Sequence, residues 1–356
     1  MKKNTLTDLI RTEGTITFAR YMELALYAPG LGYYSAGLRK FGPGGDFVTA
    51  PEISPLFSRC IAKQCKQIGG NILELGAGTG AMALEILKTY PPEQYYILEV
   101  SADLKQRQQE TLKKFSNVTW LSTLPNTFNG TIVGNEVLDA LPVHRFRITD
   151  NKILEAYVRW QDDKFVWHYD KPSSPGLLEA VERLDASLRW HDKGIDYESE
   201  IHLTIPPLIH TLGNILQTGA LLFIDYGFPR HEYYHPERSH GTLMCHYQHK
   251  AHTDPLIFTG LQDITAHIDF TAVAEAAVAA GLHVAGYTNQ ASFLLGCGLL
   301  DMAASDDLKQ QLVISQQIQK LTQPHEMGEL FKAIALTKNL DINLIGFSLR
   351  DQRQHL

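Results

Sequence analysis

Nowhere does the sequence hold the roughly 20 consecutive apolar residues that a membrane-crossing helix requires. It also lacks any run of lysines and arginines, and its formal net charge is −7. The first absence argues against a membrane-embedded chain, and the second removes the electrostatic footprint of a nucleic-acid binder. The four cysteines, Cys60, Cys65, Cys245 and Cys297, make no C-x-x-C pair. Scattered in this way, they read as reduced thiols of a cytoplasmic compartment. The opening MKKNTLTDLIRTEGTITFARYMELAL lacks a signal-type apolar core, because Asp8, Arg11 and Glu13 interrupt it. It is not an Arg/Ser-rich transit peptide either, so a cytoplasmic location is expected. There are no internal repeats. With 44% hydrophobic and 20% charged residues the composition is that of a globular protein. Its 356 residues exceed one typical core, so one large elaborated domain or two are expected.

What is present is a change of rhythm along the chain. Residues 5–28 place apolar side chains at helical spacing: Leu6, Leu9 and Ile10, then Phe18, Tyr21, Met22, Ala25 and Leu26. Residues 28–54, APGLGYYSAGLRKFGPGGDFVTAPEIS, are too rich in glycine and proline for regular structure and read as a long loop of lid type. A helix is expected from Pro55 to about Ile68. From residue 71, ILELGAG, YYILEV, VTWLS and GTIVGNEVLDALP read as strands, with AMALEILKTY and SADLKQRQQETLKKF as helices between them. Such alternation predicts βαβ units and a parallel sheet. RFRITDNKILEAYVRWQDDKFVWHY breaks the rhythm, alternating as antiparallel strands do with turns at Asp150-Asn151 and Asp162-Asp163. A charge-rich helical stretch follows, then a helix start at the Pro-Pro of HLTIPPLIHTLGNILQTG. ALLFIDYG resumes the apolar strands, followed by a loop over 228–269, a helix in FTAVAEAAVAAG, and strands in LHVAGYTN and LFKAIALTKN. The expected division is an N-terminal helical and loop segment (1–70), the first half of an α/β core (71–142), an inserted segment (143–218) and the second half of the core (219–356).

ILELGAGTGAMALEIL, residues 72–87, carries the strongest single motif. Gly76, Gly78 and Gly80 form G-x-G-x-G between a strand and a helix, where glycine permits a tight turn and close backbone approach to a ligand. Ala81 also satisfies the looser form of a dinucleotide fingerprint. Glu74 stands against that reading, because it would repel a pyrophosphate and suits the ammonium and sulfonium of S-adenosylmethionine. Glu99, ending YYILEVS, can accept hydrogen bonds from both ribose hydroxyls, a role common to both cofactors. Ala77 beside the glycines and Val100 beside Glu99 are further candidate contacts, and Trp120 and Leu121 are placed to border an adenine ring.

With YMELALYAPGLGYYS, GDFVTAPEISPLF, ILELGAGTG, LEVSADLKQRQ, GNEVLDALPVHRF, LLFIDYG, GTLMCHYQHKAHTDPL, DITAHIDF and MGELFKAIAL in this order, the chain resembles the MidA-like S-adenosylmethionine-dependent methyltransferases from about residue 5 to 349. The resemblance implies a class I, Rossmann-like methyltransferase core with a seven-stranded, mostly parallel sheet. The N-terminal segment and an α+β insertion would form a second lobe. Mitochondrial members of the family are complex I assembly factors acting as protein arginine methyltransferases. The implied reaction is therefore methylation of an arginine in a respiratory NADH dehydrogenase subunit, giving symmetric dimethylarginine. The chain departs from the family in having GAGTG where many members have a sequence closer to GPGRG, and in a histidine-rich 229–252 loop.

Methyl transfer to a guanidinium needs carboxylates that hold a planar cation in line with the methyl donor. GNEVLDALP supplies them where the fourth core strand ends. Glu136 and Asp139 are the expected clamp, with Asn135 contacting the cofactor or shaping the turn. Asp225, in FIDYG, and His267, in DITAHIDF, are further catalytic candidates for the pocket. From the lid loop, Asp46 and Thr49 could touch the cofactor, and Tyr33 and Tyr34 could line the methyl channel or belong to the core. Six histidines and Cys245 crowd residues 231–252, but their spacing fits no standard zinc site and no metal is expected. Two other functions stay open at this point: an assembly chaperone that binds S-adenosylmethionine without catalysis, and a small-molecule methyltransferase using a general base such as His267. A nicotinamide oxidoreductase is the more distant alternative.

Overall fold

The computed structural model describes residues 5–35, 48–150, 152–188 (backbone only at 185–188), 196–304 and 306–356. A capping box of Thr5 and Asp8 opens helix α1 (Leu6–Glu13), and Gly14, at φ 81°, ends it. The helical periodicity of residues 5–28 is therefore divided, with strand β1 (Ile16–Thr17) leading into α2 (Phe18–Tyr27). A short α3 (Ala50–Ile53) precedes α4 (Pro55–Ile68), where the Ser54 hydroxyl accepts the Leu56 N–H and Pro55 takes the first turn.

The alternating region follows as β2 (Asn71–Leu75), α5 (Ala81–Thr89), β3 (Tyr95–Leu98), α6 (Ala102–Leu112), β4 (Val118–Leu121) and β5 (Phe128–Asn135). The insertion holds β6 (His144–Thr149), β7 (Lys152–Gln161), β8 (Lys164–Asp170), α7 (Pro175–Leu188) and β9 (Tyr197–Ile201). Then come α8 (Ile205–Ile215), β10 (Leu216–Phe228), α9 (Arg230–Tyr233), β11 (Met244–Tyr247), β12 (Lys250–His252), β13 (Asp263–Thr265) and β14 (Ile268–Asp269). The chain finishes with α10 (Phe270–Ala279), β15 (His283–Asn289), α11 (Gln290–Gly296), α12 (Leu308–Thr322), α13 (Met327–Leu330) and β16 (Phe331–Lys338).

The central sheet runs β15-β16-β10-β5-β2-β3-β4, with the two-residue β14 as an eighth strand beside β10. β10, β5, β2, β3 and β4 are mutually parallel, whereas β16 pairs antiparallel with both β10 and β15. One face is covered by α4, α5 and α11 through Phe57, Ile61, Met82, Ile86 and Phe293. The other is covered by α8 and α10 through Ile205, Ile209, Leu212, Phe270 and Val273. Helix α8 thus packs on the core sheet although its residues fall within the segment 143–218.

An antiparallel sheet, β1-β7-β6-β9 with β8 on β7, stands beside this core. Its tight turns place Asp150, Asp162 and Asp163 at φ 47°, 50° and 58°, the left-handed conformation that two-residue hairpins demand. Helix α2 packs against it through Phe18, Tyr21 and Met22. The segment 228–269, expected to be a loop, contains a small sheet β12-β11-β13. Strands of three or four residues are too short for alternation to mark them in sequence. Among the described residues no helix is long and apolar enough to cross a membrane.

Gly130 and Gly219 face each other across β5 and β10 at φ 129° and 134°. A Cβ on Gly219 would lie 1.9 Å from the Gly130 carbonyl oxygen. Gly219→Ala therefore combines backbone strain of about 1–3 kcal/mol with a collision no side-chain movement can relieve. It should lower the melting temperature, read by circular dichroism, by at least a few °C, and an unchanged melt would contradict the close approach of these strands.

Candidate active site

The parallel strands direct their carboxyl ends toward one edge of the sheet, where open α/β folds place their ligands. A cavity of about 620 Å³ lies there. Its floor is the glycine turn after β2, and its walls are the ends of β3 and β5. Tyr27 and Tyr34 from the N-terminal segment and Leu208 and Leu212 from α8 close its sides.

Gly76 and Gly78 take φ 62° and 52°, which lets the chain leave β2 and turn into α5 with its backbone facing the cavity. Gly76, Ala77 and Gly78 all line it, whereas Gly80 stands just outside as the cap of α5 at φ 82°. Glu74 also lines the cavity and is nearly inaccessible to solvent, with the Tyr95 hydroxyl donating to Oε2 at 2.7 Å. Burial, outweighing that hydrogen bond, pushes its carboxyl up to about 7. A cationic ligand group would bring it back to the carboxylate form.

Glu99 and Val100 line the next wall. The Ser101 N–H donates to Glu99 Oε1 at 2.8 Å and the Gln108 amide to Oε2 at 2.8 Å, so the carboxylate has a defined orientation. Leu98, Leu104 and Leu124 provide apolar surface nearby. Leu121 is not among the lining residues. It packs against the core on the α8/α10 face, and Trp120 hydrogen-bonds Gln108 instead of facing the cavity.

The turn after β5 is the least ordinary part. The Glu136 N–H donates to the Ile224 carbonyl at 3.0 Å, but its φ of 53° is a conformation that residues other than glycine seldom adopt. The next three N–H groups, of Val137, Leu138 and Asp139, converge on Asp225 Oδ2 at 3.1, 2.8 and 3.4 Å. Asp225 is therefore the support of this turn and not a wall of the cavity, which corrects the expectation of a catalytic contact. Glu136 does line the cavity, and Asn135 beside it is nine-tenths buried with its Oδ1 lacking a hydrogen-bond partner. Asp139 lies behind the surface, buried. Burial and the Asp225 charge push Glu136 up to about 8 and Asp139 well above the carboxylate range. Asp263, a residue that sequence reasoning missed, adds to the same repulsion, and the Tyr34 hydroxyl donates to its Oδ1 at 3.0 Å. It lies at the start of β13, in the small sheet that the sequence did not reveal.

Of the other candidates, Thr49 lines the cavity, as does Glu52, whose Oε1 accepts from the Thr79 hydroxyl at 3.2 Å. Asp46 lies outside the described residues. Tyr33 is fully buried in the core under α2, so only its neighbour Tyr34 reaches the cavity. His267 does not reach it either. Its ring stacks on Phe228, 5.5 Å away and nearly parallel, and packs against Tyr226. Burial and the Arg238 charge hold it down to about 4, so it is neutral at physiological pH. That placement corrects the reading of His267 as a catalytic base in the pocket. Cys245 is a buried residue of β11, and among the described residues no group of histidines, cysteines and acids could hold a metal ion.

S-adenosylmethionine fits this lining. A molecule with a cationic group, two adjacent hydroxyls and an apolar ring matches a lining of two glutamates, leucine surface and an Asn135 oxygen that lacks a hydrogen-bond partner.

Comparison with known proteins agrees with the fit. The family described as "Putative S-adenosyl-L-methionine-dependent methyltransferase" matches residues 56–288. A solved structure of a COG1565 superfamily member from Burkholderia thailandensis, bound to S-adenosyl-homocysteine, is 40% identical. It superposes with a TM-score of 0.92, covering 99% of this chain and 96% of its own. The Drosophila melanogaster protein named a mitochondrial protein arginine methyltransferase NDUFAF7 homolog is 29% identical over 95% of this chain and 86% of its own length. The corresponding Homo sapiens protein is 28% identical over 92% and 81%.

A carboxyl whose folded value is raised keeps its proton in the folded state while the unfolded chain loses it. For Glu136 that window runs from the ordinary carboxylate range to about 8, so its contribution is intact at low pH and is lost as pH rises through the window. Glu136→Gln should leave the melting temperature of the ligand-free protein unchanged at pH 4 and raise it by a few °C at pH 8. Equal shifts at both pH values would show that Glu136 does not carry this strain.

Proposed function

The chain belongs to the S-adenosyl-L-methionine-dependent methyltransferase family, and from that premise we propose that it methylates an arginine side chain of a protein. The observation that carries the reading is the buried acid group beside the cofactor cavity: Glu136 on its wall, with Asp139 and Asp263 behind. S-adenosylmethionine supplies an electrophilic methyl on a sulfonium, so the accepting nitrogen must be held in line with it. A guanidinium is planar, permanently protonated and a donor along two edges, which suits capture by carboxylates. Its entry would neutralise the repulsion that keeps Glu136 and Asp139 protonated, leaving them as carboxylates around the cation. Transfer makes the nitrogen release one proton, and in this reading Glu136 receives it.

Glu74 is the proposed partner of the cofactor's ammonium and Glu99 of its ribose, with Thr49, the glycine turn and Asn135 as further contacts. The likeness to relatives named protein arginine methyltransferases supports a protein acceptor. The resemblance to the MidA-like family extends it to a subunit of respiratory NADH dehydrogenase.

Glu136→Gln and Asp139→Asn should bind S-adenosylhomocysteine within a few-fold of wild type by calorimetry while losing at least about a hundredfold in radiolabelled methyl transfer to protein. Undiminished transfer in both would sink the clamp. Mass spectrometry of NADH dehydrogenase from cells with and without the gene should show a dimethylarginine that disappears; an unaltered subunit set would remove that substrate. Because Glu74 titrates at about 7, S-adenosylhomocysteine affinity should rise with pH between 6 and 8, by at most about tenfold per unit, and Glu74→Gln should flatten the rise. A flat wild-type profile would exclude Glu74 as the ammonium partner.

A further inference from the structure

Gln108, on α6, does not line the cavity, yet it is fully buried directly behind it. Its Nε2 donates to Glu99 Oε2 at 2.8 Å and to the Gly78 carbonyl at 3.0 Å, and its Oε1 accepts from the Trp120 indole at 3.0 Å. One amide thus ties together the glycine turn after β2, the carboxylate after β3 and a side chain of β4. An indole N–H only donates, while a carboxylate and a carbonyl only accept. The amide therefore has a single satisfactory orientation. Turned over, it would set its oxygen against the Glu99 carboxylate and the Gly78 carbonyl, and its NH₂ against the indole N–H.

A glutamate carboxylate alone rotates easily about its last torsion, which is broad and roughly two-fold. Here one oxygen is held by the Ser101 backbone and the other by Gln108. Hydroxyls on two neighbouring ring carbons point in a fixed relation to each other, so a carboxylate meets both best when its plane is fixed.

We propose that Gln108 is the positioning residue for the cofactor's sugar: by fixing the Glu99 carboxylate against the glycine turn, it sets the preference for a ribose bearing both hydroxyls. This rests on Glu99 as the ribose partner. Loss of Gln108 leaves Glu99 in place but lets its plane turn, so the penalty falls on the second hydroxyl contact and spares the rest of the cofactor.

The test is calorimetry with S-adenosylhomocysteine and its 2′-deoxyribose counterpart on the full chain. Gln108→Met, close to the original shape but unable to hydrogen-bond, should weaken S-adenosylhomocysteine by about 10–50-fold and the 2′-deoxy ligand by less than about threefold. Trp120→Phe removes the donor that orients the amide and should give the same pattern at about threefold, which decides the matter if Gln108→Met does not fold. Equal losses for both ligands, or no loss, would overturn the proposal by marking Gln108 as packing alone. Glu99→Gln in the same assay separates the premise. If it leaves the ribose preference intact, the ribose role of Glu99 fails and the proposal falls with it. If it erases the preference while neither Gln108→Met nor Trp120→Phe narrows it, the proposal alone is overturned.

Discussion

The Glu136 side of the cavity is wound around one oxygen. Asp225 Oδ2 takes hydrogen bonds from three successive N–H groups, and its Oδ1 takes the Tyr226 N–H at 2.9 Å. Those donors favour the charged carboxylate, while burial opposes it strongly enough that the group is still pushed up to about 7. The turn it organises has Glu136 at positive φ on the cavity wall and Asp139 inside. Without that support nothing in the local sequence would hold a glutamate in a left-handed conformation at the end of an apolar strand. Strain of this kind persists only where surrounding contacts over-determine it, and it clusters where ligands bind.

The same arrangement concentrates negative charge where folding alone would not. Asp225 and Asp263 raise the proton affinity of Glu136 and Asp139, Glu136 raises that of Asp139, and Tyr34 and Tyr226 feel the field of these acids. Three separate parts of the chain contribute, namely the β5 turn, the end of β10 and the start of β13. Tyr34, from the N-terminal segment, binds Asp263 from a fourth. Under the proposed reading, a cation entering among them would remove a cost that the ligand-free protein bears.

The parallel core was readable in sequence because its strands are short apolar runs separated by amphipathic helices, and each helix start carries a local signal. Ser54 and Ser101 cap α4 and α6 as their positions suggest. The antiparallel hairpins were readable for a similar reason, since the aspartates at their turns occupy the left-handed conformation. β9 and the small sheet β12-β11-β13 were not: β9 pairs with the distant β6, β13 reaches β11 across an intervening segment, and β11 and β12 form a short hairpin whose turn, Gln248-His249, lacks the usual glycine or asparagine. Asp263 was hidden with them. His267 carried a chemical suggestion in its type, but the stacking of Phe228 on its ring and the packing of Tyr226 beside it could not be foreseen from the residues around it.

What the sequence by itself determined is local: the glycines that let the backbone turn after β2, and the acids Glu74, Glu99, Glu136 and Asp139 at or just beyond the ends of β2, β3 and β5. Residue type and spacing suffice there, because a strand's end and its next turn are neighbours in sequence as well as in space. Tertiary structure decided which acids face the ligand and which hold others in place. Asp225 became a support and Glu136 a wall because β10 lies beside β5 in the sheet, with Ile224 paired to Asn135. Gln108 became a tie between three strands because α6 packs across their ends. Hydrogen bonds between residues 9 to 88 positions apart set these roles, and no pattern along the chain records which partners folding will bring together.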